Sequence, residues 1–177
     1  DGAAIPTGVF AQTILVSGGG RGGDVRVTAD RLEIRDGARF SNTTYGSGDA
    51  GRLWISAGEM FLSRDGAAIP TGVFAQTELD VGGGRGGDVR VTADRLEIRD
   101  GAVISTLSDG SGDAGNLSVS AGELLLSGDG SEEFTGVAAL TVLASDGGRG
   151  GEVRVTVDRL EIRDGAVINT TTRGSGD

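Results

Sequence analysis

The sequence predicts an all-β protein: a parallel β-helix, or solenoid, with about three short strands in each coil. Three observations favour this fold class: a long internal repeat, an alternation of apolar and polar residues within it, and no stretch with the apolar spacing of a helix. The repeat is most visible in GGDVRVTADRLEIRDGA, which fills residues 22–38 and recurs unchanged at 86–102. A near copy, GGEVRVTVDRLEIRDGA, fills residues 150–166, so the same interval separates Gly22 from Gly86 and Gly86 from Gly150. A fixed period of this kind is typical of stacked repeats.

Each 64-residue repeat contains two units of different length. GDVRVTADRLEI at 23–34 aligns with the weaker copy GRLWISAGEMFL at 51–62, and the next strong copy begins at Gly87, after a longer interval. We call the two sequences the strong unit and the weak unit. The chain is therefore interpreted as one segment of a repeat array, residues 1–177, in which a partial coil at 1–22 precedes coils at 23–50, 51–86, 87–114, 115–150 and 151–177. Shorter coils thus alternate with longer ones.

Three short strands are predicted in every unit. In VRVTA (25–29) and RLEIRDGA (31–38) apolar residues alternate with polar ones, which is the period of a half-buried strand. The Asp-Gly pair at the end of the second segment indicates a turn. A third, looser strand follows, RFSNTT (39–44) in the strong coil or AIPTGVFAQT (68–77) in the weak coil, and Gly-rich connectors close each coil.

Stacking these units about 4.8 Å apart aligns equivalent residues in columns along the axis. Five inward columns stay apolar through five coils, and they begin at Val25, Val27, Ala29, Leu32 and Ile34. Two of them define the predicted core: Val25, Leu53, Val89, Leu117 and Val153 form one, and Leu32, Met60, Leu96, Leu124 and Leu160 form the other.

The outward columns are charged, and they differ between the two units. A predicted ladder of opposite charges runs Arg31, Glu59, Arg95, Glu123, Arg159. A second outward column runs Asp24, Arg52, Asp88, Asn116, Glu152. Identical coils would place like charges side by side, which is unfavourable, so the alternation of units explains a period of two coils. We expect each exposed pair to contribute only about 0.2–1 kcal/mol and the ladder to set the register.

Composition excludes several classes of function. The chain has no His and no Cys, which removes the commonest general base, the thiol nucleophile and most zinc sites. We therefore predict no catalytic activity and no cofactor. All 16 basic residues are Arg, against 26 acidic ones, and the net charge of −10 argues against a nucleic-acid partner. No apolar run approaches the ~20 residues of a membrane helix, so membrane insertion is not expected.

The repeat GGDVRVTADRLEIRDGA, followed by GSGDAGNLSVSAG in the next coil, resembles the repeats of large secreted proteins of the filamentous haemagglutinin type. These are two-partner-secretion exoproteins of Gram-negative bacteria, and the resemblance covers essentially the whole chain. It implies a long right-handed β-helical stalk outside the outer membrane that serves adhesion, aggregation or a biofilm matrix. Its implied localisation is extracellular or at the cell surface. The N-terminal secretion domain of the family has no counterpart in this sequence, so the export route rests on the repeats alone.

Several local patterns suggest other functions. GGRGGDVRV is similar to a calcium-binding nonapeptide, but Arg90 stands at its apolar position, and the stretch recurs once in each long repeat rather than at every ninth position. Weak surface binding of Ca²⁺ at the acidic GSGDAG turns (46–51, 110–115 and, in part, 174–177) stays open. The carboxylates of Asp30, Glu33 and Asp36 suggest a β-helical polysaccharide-degrading enzyme. They recur in every strong unit, however, whereas a catalytic site occurs once.

Smaller polar and aromatic features are interpreted as structural. A column that begins Thr28, Ser56 is too interrupted by charges for an ice-binding surface. Asn42 begins a glycosylation acceptor pattern, but we expect it to form hydrogen bonds along the stack. Trp54 falls in a column with Arg26 and Arg90, which predicts an Arg–Trp stack rather than a sugar platform.

The leading hypothesis from sequence is a structural or adhesive fibre protein. Both ends of the sequence fall inside a coil, so the expected partner is self, through continuation in a longer polypeptide or end-to-end stacking. The alternative is a module that binds host or matrix glycans or a protein along one repetitive face, and an enzyme on the same scaffold ranks third. The third repeat departs most from the others, since Ile69 and Pro70 become Glu133 and Phe134, so a ligand contact is sought there first.

Overall fold

A computed structural model of the chain confirms the all-β solenoid of parallel strands. The structure describes residues 7–13, 20–45, 47–78, 84–109, 111–142 and 148–173. Within these ranges it contains eleven strands and no helix, and therefore no helix that is long and apolar enough to cross a membrane. Residues 1–6, the beginning of the first copy of DGAAIPTGVFAQT, and the end of the last acidic turn, residues 174–177, lie outside the described residues.

The strands form two parallel sheets. The first sheet consists of five long strands of eleven residues each, β2 (Val25–Arg35), β4 (Leu53–Ser63), β6 (Val89–Arg99), β8 (Leu117–Ser127) and β10 (Val153–Arg163), in the order β10-β8-β6-β4-β2. The second consists of six short strands, β1 (Gly8–Thr13), β3 (Arg39–Thr44), β5 (Gly72–Glu78), β7 (Val103–Asp109), β9 (Gly136–Thr141) and β11 (Val167–Thr172), in sequence order. Each coil thus contributes one long and one short strand, and every strand pairs with its counterparts in the described coils before and after it.

The two segments predicted as separate strands at 25–29 and 31–38 form a single long strand that bends in its middle. In β6 the alternation of buried and exposed residues is interrupted once, because Asp94 and Arg95 are both exposed while Ala93 and Leu96 are both buried. Parallel pairing resumes immediately after this bend, since Arg95 pairs with Glu59 and Leu96 with Met60. The change of phase looks like a strand boundary in the sequence, but the pairing continues through it, so each coil has two strands instead of three.

The corners absorb the difference in coil length. In the strong coil the long strand starts at Val25 and the short strand at Arg39, whereas in the weak coil the corresponding starts, Leu53 and Gly72, are farther apart in sequence. The return to the next long strand is also longer in the weak coil, from Gly72 to Val89, than in the strong coil, from Arg39 to Leu53. Because the additional residues lie in the corners, both sheets keep an uninterrupted register.

A tight turn follows every long strand, as the Asp-Gly signal predicts. At the first turn Asp36 has φ 53° and Gly37 has φ 80°, and the Ala38 N–H donates to the Arg35 carbonyl at 2.8 Å. Positive φ at both central residues is the geometry of a type I′ turn, for which Asp-Gly is well suited. The equivalent Asp residues also have positive φ, namely Asp65, Asp100, Asp129 and Asp164.

The apolar columns of the long strands fill the interior of the central coils. Leu53, Leu96, Leu117 and Leu124 are at most 1% exposed, and Met60 is 2% exposed. Val25, Leu32 and Val153, which belong to the first and last long strands, are partly buried and pack against this core. The prediction that Leu160 is buried is wrong: it is 46% exposed. It pairs with Leu124 as expected, but β10 is the edge strand of its sheet, and no described strand covers its other side.

The interior beside the short strands is partly polar, which the sequence interpretation missed. Asn42 is fully buried and bonds along the stack as predicted: its Nδ2 donates to the Gly23 carbonyl of its own coil at 2.5 Å, and its Oδ1 accepts from the Gly51 N–H of the next coil at 3.2 Å. Two coils later the Thr106 hydroxyl donates to the Gly115 carbonyl at 2.7 Å. A Cβ on Gly51 would lie 2.2 Å from the Gly23 carbonyl oxygen, so the corner requires glycine here. Buried polar side chains therefore satisfy backbone groups of corners that approach too closely for larger residues.

We expect the free energy of unfolding lost on a Leu→Ala substitution in this column to depend on how deeply the leucine is buried. Leu96→Ala in the central coil removes a fully buried side chain and should lower the free energy of unfolding by about 2–5 kcal/mol. Leu160→Ala, the same substitution at the exposed edge, should lower it by less than about 1 kcal/mol. Urea unfolding of the two variants measures the difference, and equal losses would contradict the assignment of β10 as an uncovered edge.

Candidate functional site

The outer surface of the long strands, which we call the charged face, carries the residues of the predicted ladder. The sheet register pairs Arg31 with Glu59, Glu59 with Arg95, Arg95 with Glu123, and Glu123 with Arg159. Ion pairs join Arg31 to Glu59 at 3.8 Å, Arg95 to Glu123 at 4.0 Å and Arg159 to Glu123 at 3.7 Å. Within the described residues the step from Glu59 to Arg95 has no ion pair. The ladder is thus loose, and its contacts are long and exposed.

Ion pairs also run along each strong strand, and the sequence interpretation missed them. Glu33 accepts from Arg31 at 2.5 Å and lies 3.2 Å from the Arg35 Nε. Residues two apart on a strand share a face, so the spacing Arg-x-Glu-x-Arg in the sequence contained this signal. The triplet recurs in the other strong strands: Glu97 contacts Arg95 and Arg99, and Glu161 contacts Arg159 and Arg163.

The contact with Arg31 changes the pKa of Glu33 as expected for a carboxylate in an ion pair. The Arg31 guanidinium donates from Nε at 2.9 Å and from Nη2 at 2.5 Å, which lowers the pKa of the Glu33 carboxyl, and the same contact raises the pKa of Arg31. A general acid requires the opposite shift, because it must retain its proton near neutral pH. Among the repeated carboxylates that suggested an enzyme, Glu33 is therefore held as the ionised partner of Arg31 and not as a general acid.

The second outward column acts mainly through the backbone of the following coil. The Arg52 N–H donates to Asp24 Oδ1 at 2.9 Å, and the Asn116 N–H donates to Asp88 Oδ1 at 3.0 Å. At the next step the Glu152 N–H donates to Asn116 Oδ1 at 3.3 Å. Asn116 stands where the first weak unit has Arg52, and its backbone and side chain still form hydrogen bonds with the coils on both sides. The column can therefore lose its alternating charge at this position without losing the connection between coils.

Asp88 is the most strongly held carboxylate of this column. Partial burial by itself raises its pKa, but hydrogen bonds from Arg85 Nη2 at 2.7 Å and from the Asn116 N–H, together with the charges of Arg85 and Arg52, bring the pKa below its ordinary value. The Arg52 Nε lies 3.9 Å from Asp88 Oδ2. Asp88 thus links its own coil to the coils on both sides.

The acidic turns considered for Ca²⁺ use their carboxylates within the protein. Asp49 Oδ1 accepts from the Arg85 N–H at 2.7 Å, and Asp113 Oδ1 accepts from the Arg149 N–H at 2.7 Å. The part of the chain that the structure describes contains no cluster of three or more His, Cys, Asp or Glu residues arranged to hold a metal ion. These carboxylates therefore have a clear structural function as acceptors between coils.

Arginine side chains stack on the outward aromatic residues. The Arg26 guanidinium lies 5.0 Å from the Trp54 ring centroid, as predicted, and Arg52 lies 5.9 Å from it. Arg35 lies 4.2 Å from the Phe61 ring centroid, a contact that the sequence interpretation did not foresee. The Trp54 and Phe61 rings of the first weak unit thus each contact an arginine of the preceding coil, and Trp54 also contacts Arg52 of its own coil.

The corner after the long strand of the third repeat is where the surface departs from the repetitive pattern. Glu133 forms an ion pair with Arg64 at 3.0 Å, and Phe134 is 39% exposed. The preceding repeat has Ile69 and Pro70 at these positions. This corner combines an exposed aromatic ring with a carboxylate, so it differs chemically from the rest of the described solenoid.

Comparison with known proteins finds no match for this chain among family models, curated proteins or solved structures. The resemblance to the filamentous haemagglutinin type therefore stays a prediction from the repeats.

We expect reversal of one ladder charge to destabilise the solenoid in a salt-dependent way. Glu123→Arg places three arginines side by side, at positions 95, 123 and 159, and should lower the free energy of unfolding by about 1 kcal/mol at low salt. Urea unfolding should show the loss shrinking at about 0.5 M NaCl, because salt screens exposed charges. Glu123→Gln serves as the control and should cost less. A loss that is the same at both salt concentrations would contradict an electrostatic ladder.

The lowered pKa of Asp88 predicts a pH-dependent contribution to stability. Because its pKa is lower in the folded chain, the ionised form stabilises the fold above the unfolded value of about 3.9, and this contribution is lost as the pH falls through the folded value. Asp88→Asn should therefore be less stable than the parent at pH 7, and the difference should shrink below about pH 4. Asp158→Asn, which alters an exposed carboxyl without an ion pair among the described residues, is the control. Urea unfolding across pH measures both, and a pH-independent loss for Asp88→Asn would contradict this role.

Proposed function

We propose that this chain is a structural and adhesive segment of an extracellular fibre or stalk. One observation carries the proposal: the outward charged groups of the long strands recur coil after coil, and their partners lie in the same strand or in the neighbouring coils. A surface of this kind stabilises a rod. An enzyme, in contrast, concentrates unrepeated polar groups at one place.

The mode of stacking supports a rod. Parallel strands pair from coil to coil, so hydrogen bonds run along the solenoid axis and each additional coil extends it by about 4.8 Å. The pattern of strong and weak units can be repeated indefinitely without a new type of contact. Length is thus the property that such a repeat varies most easily, and length is what a stalk supplies.

Charge and chemistry support a non-catalytic role that does not involve nucleic acid. The net charge of −10 disfavours nucleic acid and favours solubility of an extended surface. Glu33 and Asp88, two carboxyl groups with clear shifts, have lowered pKa values, which suits ion pairs rather than acid catalysis. We propose no cofactor. Secretion through a two-partner system to the surface of a Gram-negative bacterium, in adhesion or a biofilm matrix, is proposed from the resemblance of the repeats.

A binding module is the second candidate, and the third-repeat corner favours it. Phe134 presents an exposed ring beside Glu133, a combination that stacks on a sugar or on an apolar side chain while the carboxylate accepts hydrogen bonds. A glycan array probed with the labelled chain examines this candidate. Saturable retention that disappears in Phe134→Ala would favour a binding module at this corner.

The fibre proposal predicts that length grows linearly with repeat number. Chains extended by one, two and four further copies of the 64-residue repeat should lengthen by about 10 Å per copy at constant cross-section, because each copy adds two coils. Small-angle scattering and electron microscopy measure both dimensions. Surfaces coated with the longest array should also retain more cells than surfaces coated with this chain. Compact particles whose cross-section grows with repeat number would contradict the proposal.

A further inference from the structure

A groove on the outer surface of β2, β4 and β6, which we call the Trp54 groove, departs from the repetitive charge pattern. Pairing in register places Trp54 between Arg26 of the preceding coil and Arg90 of the following coil. Two residues further along the strands, a row of exposed hydroxyl groups runs in the same direction. The outward side chains that line the groove are Arg26, Thr28, Trp54, Ser56, Arg90 and Thr92. None of them is acidic, although acidic residues outnumber basic ones in the chain as a whole.

Arg90 has no carboxylate partner although it lies in the central long strand. Its neighbours in register are the neutral residues Trp54 and Ser118. The carboxylate two positions earlier, Asp88, accepts instead from Arg85 at 2.7 Å, and the Arg90 guanidinium forms no ion pair or hydrogen bond with any residue that the structure describes. Because the strands on both sides of Arg90 are present, its availability follows from the sequence of these coils.

Arg26 is held by the indole ring instead of by a carboxylate. Its guanidinium lies 5.0 Å from the Trp54 ring centroid, whereas Asp24, two positions earlier, accepts from Arg21 at 2.9 Å. A stacked guanidinium keeps the N–H groups along its edge for other acceptors, and that edge matches the two oxygens of a carboxylate. The stack on Trp54 therefore orients a cation without neutralising it.

The second weak unit shows the same positions without such a groove. Ser118 stands where the first weak unit has Trp54. Arg154, on the far side of Ser118, donates to Glu152 at 2.7 Å. Glu152 replaces the aspartate of the earlier strong units, and its longer side chain reaches the arginine. The combination of one tryptophan and two arginines without carboxylate partners thus occurs once among the described coils.

From these observations we propose that the Trp54 groove binds an acidic polysaccharide, whose uronate carboxylates are held by Arg26 and Arg90. The groove lies on the outer surface of the long strands and not at the corner that carries Phe134. This inference goes beyond the fibre function, because it adds a specific ligand site that can be tested on the isolated chain whether or not arrays form rods.

The spacing and chemistry of the groove favour this class of ligand. Arg26 and Arg90 lie two coils, or about 10 Å, apart along the axis, which suits an extended chain with separated negative charges. The hydroxyls of Thr28, Ser56 and Thr92 both donate and accept hydrogen bonds, as sugar hydroxyls do. Nucleic acid fits poorly, because its dense phosphates require more cations than this pair in a chain with a net charge of −10.

Intrinsic fluorescence tests binding at the groove itself, since Trp54 is the one tryptophan of the chain. Titration with a galacturonic acid hexamer at low salt should change its emission saturably, because bound carboxylates move the stacked guanidinium and exclude water. The fully methyl-esterified hexamer has the same sugars without the charges and should bind at least about tenfold more weakly. Raising NaCl to about 0.3 M should weaken binding of the acidic hexamer. No saturable change, or equal binding of the ester, would overturn the proposal.

Variants locate the contacts, with fluorescence anisotropy of a labelled hexamer as the measurement. Arg90→Gln and Trp54→Ser should each weaken binding at least about fivefold, since the first removes a cation and the second removes the ring that orients Arg26. Trp54→Ser introduces the residue that the second weak unit already has at this position, and urea unfolding checks that each variant is folded. Arg154→Gln, at a position where Glu152 already binds the arginine, is the matched control and should leave the affinity unchanged. Equal losses for Arg154→Gln and Arg90→Gln would overturn the assignment to the groove.

A peptide probe separates a polysaccharide from an acidic protein segment. A hexaglutamate peptide carries carboxylates but no sugar hydroxyls, so it should bind at least about threefold more weakly than the galacturonic acid hexamer. Equal or tighter binding of the peptide would overturn the polysaccharide as the ligand of the groove.

Discussion

Parallel stacking in register brings equivalent residues of successive coils together along the axis, so every charge in the repeat is placed beside the same position of the next coil. A solenoid of identical charged coils would therefore repel itself along several columns at once. This chain avoids that outcome by alternating two units, and the pairing of Arg31 with Glu59 and the close approach of Gly58 to Asp30 show the electrostatic and steric consequences. The two units also differ in the length of their corners. Because the additional residues of the weak unit lie in its corners, the long strands of unlike units still pair in one register.

The corners satisfy a second constraint, which concerns the backbone. Close approach of Gly51 to Gly23 leaves no room for side chains at the Gly-rich corner, and buried groups such as Asn42 and the Thr106 hydroxyl bond to peptide groups of these corners. After each long strand an Asp-Gly turn, with positive φ at both residues, redirects the chain. The long strands thus provide an apolar core and a charged exterior, while the short strands provide polar groups that hold the corners in place.

Much of this fold could be predicted from the sequence, because repeats reveal which residues share a column. Alignment of the segment that begins at Gly23 with the segment that begins at Gly51 was sufficient to predict the solenoid and the register of the long strands. It also predicted the sign of the charge beside each residue of the ladder. The bend at Asp94 and Arg95 was missed as a feature of one strand, since a change of phase does not reveal whether pairing continues through it. Asn42 bonds to peptide groups of the Gly-rich corner in its own coil and in the next. The alignment of repeats predicted bonding along the stack, but because these groups lie outside the column of Asn42 it could not identify them. Leu160 occupies its predicted column, but burial depends on a neighbouring strand and not on the residue itself.

The central claim is that unlike units must be neighbours, and one replacement tests it directly. The long strand of the second weak unit, residues 115–127, is replaced by the strong sequence of residues 87–99, so that three strong strands lie side by side. Urea unfolding at low salt should show a loss of at least about 2 kcal/mol relative to the parent, because like charges then meet on both sides of the replaced strand. Part of that loss should return at high salt, while the part due to the missing Gly122 should remain. Unchanged stability after the replacement would contradict the account.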